Sequence, residues 1–245
     1  MSEKLPLSPE IESLESRTLL ASVGFEDGVL RIVGSSTRDV VNVSQTSSAI
    51  EVSMGNVRKS FKLHKVDRIE VRSGDGVDSI RLSAVRGREV TVRSYLDGGE
   101  GGDVIQGGEG RDTIVGSGGD DFIDGMAGHD RINGGDGRDR IWGGEGYDRL
   151  RGGSGDDEIR GDSTSSAGPA KGRPGNDTID GQGGNDRLFG EIGNDVISGG
   201  AGFDFLMGND GGDTLHGGED DDSLWGGTGA DLLLPSEGTD EMRED

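Results

Sequence analysis

Residues 107–142 read GGEGRDTIVGSGGDDFIDGMAGHDRINGGDGRDRIW, a stretch in which Gly and Asp return on a fixed beat. Glycine loses more conformational freedom on ordering than any other residue, and neighbouring carboxylates repel. A folded segment built from both needs a compensating force. Aligned on Asp, the beat is nine. Asp103, Asp112, Asp121, Asp130, Asp139, Asp148 and Asp157 lie nine apart. After a step of 20 the spacing resumes with Asp177, Asp186, Asp195, Asp204, Asp213, Asp222 and Asp231. Ile or Leu stands two residues after each of the fourteen, from Ile105 to Leu233, and Gly stands two before in all but one, Asp220 being the exception. A solvated acidic linker has no reason to hold phase over so many units, so the pattern is that of a repeat architecture.

Composition agrees. The 245 residues include 49 Gly, only 29% are hydrophobic and 4% aromatic, so a thick conventional core is not expected. The net charge of −23 is unevenly placed. Residues 1–97 carry 14 acids and 14 bases, whereas residues 98–234 carry 29 acids and 10 bases. That imbalance argues against nucleic acid, whose phosphates need Lys and Arg, and favours cations. With no Cys, thiol catalysis, disulfides and Cys-based zinc sites are excluded. No apolar run approaches the roughly 18 residues of a membrane span, and no standard signal peptide is visible at the N-terminus.

The unit is GGxGxDxUx, with U a large aliphatic residue. Over residues 98–234 it resembles the RTX, or haemolysin-type calcium-binding, nonapeptide repeat family. The resemblance implies an all-β fold, a right-handed parallel β-roll of about 14 repeats, in which six residues turn and three form a short strand. The physics of the unit points the same way. Gly at positions 1, 2 and 4 permits positive φ and lets turn carbonyls converge. In a three-residue strand U faces inward while positions 7 and 9 face outward. Two units make an 18-residue coil, so Asp stacks above Asp beside carbonyl oxygens, a hard all-oxygen setting that selects Ca²⁺ over zinc or copper.

The fourteen Asp side chains, with turn carbonyls, are therefore the expected metal ligands, for up to roughly a dozen Ca²⁺ ions between stacked turns. The roll is expected to be largely unfolded without calcium and to fold on binding it. Asp220, at position 4 of its turn, puts its own site in doubt. An insertion, 162–173, is expected to protrude from one edge and to weaken one site.

Residues 24–97 alternate as strands do, in VLRIV, DVVNVS, AIEVS, RIEVRS and EVTVRS. They are read as an all-β segment capping the roll, with a small separate β-domain as the rival. A degenerate repeat at 73–81 places Asp78 and Ile80 in the motif positions, Asp78 being read as structural. Residues 1–23 are read as flexible, and LESRTLLA (14–21) resembles the LEPR-x-LLSA-like N-terminal motif of planctomycete exported proteins, with Ser16 where the motif has Pro. Residues 235–245 are read as an acidic tail.

Catalytic patterns are missing: His64, His129 and His216 are isolated, and no HExxH or GxSxG occurs. The expectation is a non-enzymatic, secreted or surface-associated protein with a structural or adhesive role. An accessory module for a polysaccharide-modifying enzyme is the alternative. Outward positions of alternate repeats carry Phe122, Trp142, Phe189, Phe205 and Trp225, a face that could bind a cell-surface glycan or a protein. Position 3 is mostly acidic or small, which argues against ice binding.

Overall fold

The computed structural model describes residues 21–84, 89–162, 175–234 and 236–244. Its strands form two sheets, of eleven and twelve strands, and the chain steps from one to the other along the repeats. Asp112–Gly118 and Arg131–Asp136 lie in the first sheet, Phe122–Asp124 and Arg140–Trp142 in the second. Neighbours in a sheet are parallel and one coil apart: Ile114 pairs with Ile132 and Ile132 with Leu150 in the first, Ile123 with Ile141 in the second. This is a β-roll.

The aliphatic residue of each unit fills the space between the sheets. From Ile105 to Leu224 these side chains are at most 3% exposed, and Leu233, in the last coil, is partly buried. The interior is one file of Ile and Leu, closed by ladder hydrogen bonds. Three-residue strands do occur, as at Phe122–Asp124 and Arg140–Trp142. Many others are longer, because positions 2 and 3 also pair with the next coil, as Gly135 does with Gly153 and Asp136 with Ser154.

The N-terminal strands continue the same two sheets. Arg68–Asp75 and Ser94–Glu100 precede Asp112–Gly118 in the first, and Val40–Gln45 and Ser79–Ala84 precede Val104–Gln106 in the second. The parallel pattern gives way only at the outer end. There Ser22–Glu26 folds back antiparallel on Val29–Val33, and Val40–Gln45, Ala49–Met54 and Val57–Lys62 form an antiparallel meander. Ser22 and Val23, assigned from sequence to the flexible segment, are already in a strand, while residues 1–20 lie outside the described residues.

At the other end the acidic tail needs correcting. Glu241–Arg243 pairs in parallel with Ser223–Thr228, setting Met242 opposite Leu224. Gly238, Asp240 and Met242 thus form a further unit, with Met in the place of Ile or Leu. Of the insertion 162–173, Asp162 is described and the rest lies outside the described residues, as does Pro174; the ladder holds on either side, with Arg149 opposite Thr178 and Glu158 opposite Arg187.

Candidate metal centre

Every turn ends on its Asp, and the coil geometry ties each Asp to the next one in the stack. The amide N–H of Asp121 donates to Oδ1 of Asp139 at 2.9 Å, and that of Asp139 to Oδ1 of Asp157 at 2.8 Å. On the opposite edge Asp112 N–H donates to Asp130 and Asp130 N–H to Asp148, both at 2.8 Å. The Asp carbonyl is used as well: Asp121 O accepts the N–H of Arg140 at 2.8 Å. The fourteen residues therefore form two columns. Asp103, Asp121, Asp139, Asp157, Asp186, Asp204 and Asp222 run up one edge, and Asp112, Asp130, Asp148, Asp177, Asp195, Asp213 and Asp231 up the other.

One oxygen of each pair is spent in this ladder. The other is stranded. In twelve of the fourteen, all but Asp112 and Asp231, Oδ2 is buried without a hydrogen-bond partner. A buried carboxylate oxygen left unpaired costs several kcal/mol, so a column of them is not a stable arrangement on its own. What Oδ2 faces is informative. A methyl on Gly134, at position 1, would collide with Asp139 Oδ2 and stand 2.6 Å from the carbonyl oxygen of Gly152, position 1 of the next coil. The same pair of oxygens recurs around Gly116, from Asp121 and Gly134. Carboxylate and carbonyl oxygens thus close on a small hollow that only glycine leaves open. Among the described residues no three His, Asp or Glu side chains converge on one point, so an ion here would rely on one or two carboxylates and on peptide carbonyls.

The electrostatics follow from this burial. Loss of solvent is the main cause that raises these carboxyls; the amide bond to Oδ1 offsets part of it, and for several the carboxylates of neighbouring coils add to it. Asp103, Asp139, Asp148 and Asp186 are pushed up to about 6, Asp121, Asp157, Asp195 and Asp204 to about 7, and Asp130 and Asp177 to about 8. A cation in the hollow would reverse that pressure.

The exceptions have local reasons. Asp112 Oδ2 accepts the N–H of Gly108 at 2.9 Å, so this turn is satisfied from within. Asp231 lies near the end of the array and is half-buried. Asp220 adopts φ +75°, positive like the position-4 glycines but short of values such as +113° at Gly119 and +154° at Gly128, so its turn keeps the sign of the common path and not its full course. The insertion replaces position 3 alone. Gly161 keeps position 1 and faces both Asp177 Oδ2 and the Gly190 carbonyl, and Asp148 N–H reaches Asp177 Oδ1 at 2.8 Å. In these contacts the turn matches its neighbours.

The column also extends beyond the fourteen. Asp222 N–H donates to Asp240 at 3.1 Å, Asp78 N–H to Asp103 at 2.7 Å, and Asp39 N–H to Asp78 at 2.6 Å. Asp78 is 2% exposed with Oδ2 unpartnered, like the repeat aspartates. For Asp240 the available signal was its nine-residue spacing from Asp231 with Gly two before it. Asp39 offered Gly34 at position 1 and Val41 two residues on, but Gly is missing from its positions 2 and 4.

The five aromatic residues singled out from sequence do gather on the second sheet, but they are half-buried and pack on one another. Phe122 meets Trp142 edge-on at 4.4 Å between centroids, and Phe205 lies 5.9 Å from Phe189 and 5.3 Å from Trp225. Arg160 covers Phe189 and Arg243 covers Trp225. No helix among the described residues is long and apolar enough to cross a membrane.

Compared with known protein families, the chain matches the RTX calcium-binding nonapeptide repeat in four copies, over residues 97–132, 133–164, 171–206 and 207–242. No curated protein matches it.

Proposed function

The chain belongs to the RTX calcium-binding nonapeptide repeat family, and from that premise we propose that its two aspartate columns are the ligands of two files of Ca²⁺ ions that set the roll. Calcium binding by a β-roll repeat protein is the family's property. The finer assignment rests on one observation: the stranded, buried Oδ2 atoms that face the position-1 carbonyl of the next coil. In each hollow the Asp of one turn supplies the carboxylate and the position-1 residue of the following coil supplies the carbonyl. The bound ion contributes the positive charge that the buried carboxylates lack. With seven aspartates in each column there are about six gaps a side, and with the Asp112 gap already closed by the Gly108 N–H about eleven ions remain, close to a dozen.

Without that charge the roll holds only a thin file of aliphatic side chains against the ordering cost of its glycines. Metal binding and folding are then one event. A chain of this kind stays loose where calcium is scarce and sets where it is plentiful, which suits a secreted or surface-associated protein with a structural or adhesive role. The rival role, an accessory module that positions a polymer for a separate enzyme, uses the same calcium-set scaffold.

The test is a calcium titration followed by calorimetry and far-UV circular dichroism. The reading expects a coil spectrum in chelator, a β spectrum on addition of calcium, and a stoichiometry of about a dozen. A full β spectrum in chelator, or uptake of only one or two ions, would overturn it.

A further inference from the structure

The repeat array is acidic, yet it concentrates positive charge in one place. Of its ten bases, Arg111, Arg131, Arg149 and Arg151 line two adjoining clefts on the first sheet and its edge. Arg131 and Arg149 are direct cross-strand partners, one rung apart. Like charges in that relation repel, so a protein has reason to separate them unless something between them carries negative charge. Asp130 and Asp148 also line the edge cleft, but both are buried in the aspartate column, and among the described residues only Arg151 of the four arginines reaches a carboxylate within ion-pair distance, Asp180 at 3.9 Å. The acid of the insertion is Asp162, buried with its Oδ2 accepting the N–H of Ile192, while residues 163–173 carry Lys171 and Arg173 and no acid.

Beside the arginines stands a flat aromatic platform. The rings of His129 and Tyr147 stack at 5.1 Å and 25°, and Tyr147 is 59% exposed. His129 is fixed: its Nδ1 accepts the N–H of Tyr147 at 2.9 Å, which puts the ring proton on Nε2 and leaves that nitrogen as a donor. Asn176 adds an amide to the same cleft, whose volume is about 370 Å³.

Arginine pairs recognise oxyanions through their planar forks. An exposed ring stack takes the C–H face of a sugar, and an amide and an imidazole N–H read its hydroxyls. A nucleic acid, charged along its whole length, would meet the strongly negative field of the rest of the molecule, whereas a short oligosaccharide need reach only the cleft. We propose that this cleft binds an oxyanion-bearing sugar, a uronate or a sulfated residue. Arg131 and Arg149 hold the oxyanion, and the Tyr147–His129 platform holds the ring. The proposal rests on the calcium-set roll, since only the folded coils bring these residues together.

Calorimetry with calcium-saturated full-length protein tests it, using oligogalacturonate and a sulfated dextran oligomer as probes, with neutral dextran and inorganic phosphate as controls. Calcium uptake and the β spectrum are checked on the same samples, so a failure of the roll is distinguished from a failure of the cleft. Saturable binding of a charged oligosaccharide is expected, weakened at least tenfold in Arg131→Gln/Arg149→Gln and several-fold in Tyr147→Ala. Each variant should keep the wild-type calcium stoichiometry, because all three side chains are exposed. No binding of either charged probe by a correctly folded, calcium-loaded protein would overturn the proposal. So would equal binding of neutral dextran or of phosphate alone, or undiminished affinity in the double arginine variant.

Discussion

At the scale of the residue, each repeat aspartate does two jobs with two oxygens. Oδ1 of Asp139 joins coils by accepting the Asp121 N–H, and Oδ2 is left facing the hollow by Gly134. The two jobs separate by mutation. In Asp139→Asn the amide oxygen still serves the ladder, while the NH₂ now points a donor at the hollow. The expected result is loss of one or two ions in calorimetry, with the β spectrum retained at saturating calcium. Gly134→Ala, which fills the hollow and leaves the carboxylate intact, should lose the same ion. In Asp112→Asn, where Oδ2 already accepts the Gly108 N–H, the stoichiometry should hold and the cost should fall on stability, about 1–3 kcal/mol for a buried bond replaced by a donor–donor contact. An unchanged ion count in both Asp139→Asn and Gly134→Ala would remove the hollow from the account.

At the scale of the element, the N-terminal cap differs from the repeats by one side chain in a telling place. Ser73, fully buried, takes position 1 in the Asp78 turn, where the repeats have Gly. Its hydroxyl donates to the Gly98 carbonyl at 2.6 Å, so the carbonyl that elsewhere faces a hollow is satisfied here by a proton instead of an ion. The Asp39 turn is likewise internally bonded, its Oδ2 accepting the N–H of Ser35 at 2.6 Å. Together with the fuller apolar packing of Leu30, Ile32, Val41, Ile50 and Val52, this makes the cap a calcium-independent start for the roll. Hydrogen exchange in chelator should therefore find amides of the strands between 22 and 84 protected while those of 98–234 exchange freely. Ser73→Gly should raise the calcium count by one. Uniform exchange throughout the chelated chain would refute the distinction.

These elements also show how far the sequence could be read. The repeat register was legible because Asp and an aliphatic residue recur at a fixed separation of two, whatever stands between them. The final unit escaped because Met242 stands in the place of Ile or Leu, and the Asp39 turn because Ser35 and Thr37 replace its glycines. For Asp220 and the insertion, the stack adds what an isolated turn cannot show. In the stack, neighbouring coils hold Asp220 at positive φ, and an insertion at position 3 leaves Gly161 and Asp177 where the ladder needs them. The arginine cleft was invisible for the same reason. Arg131 and Arg149 are 18 residues apart, and only the coil length makes them neighbours.

At the scale of the whole molecule, the two columns make stability depend on pH in opposite senses with and without calcium. In the chain alone, burial raises the folded-state pKa of ten column aspartates from the usual 3.8 to between about 6 and about 8, and raises Asp112, Asp213 and Asp222 in the same direction. A folded pKa above the unfolded value means that the folded state binds more protons. The stabilisation is then fully present below about pH 4 and is lost as pH rises through the folded pKa values. Acid also lowers the net charge of −23 that pushes the coils apart. In chelator, far-UV circular dichroism should thus show β structure growing as pH falls from 8 to 5, a proton standing in for the ion at each stranded oxygen. In saturating calcium the order inverts, because protons now compete with the ion for the same oxygens, and the thermal midpoint should fall over that interval. A chelated chain that loses β structure on acidification would mean that the column carboxylates are not the groups that hold the coils apart.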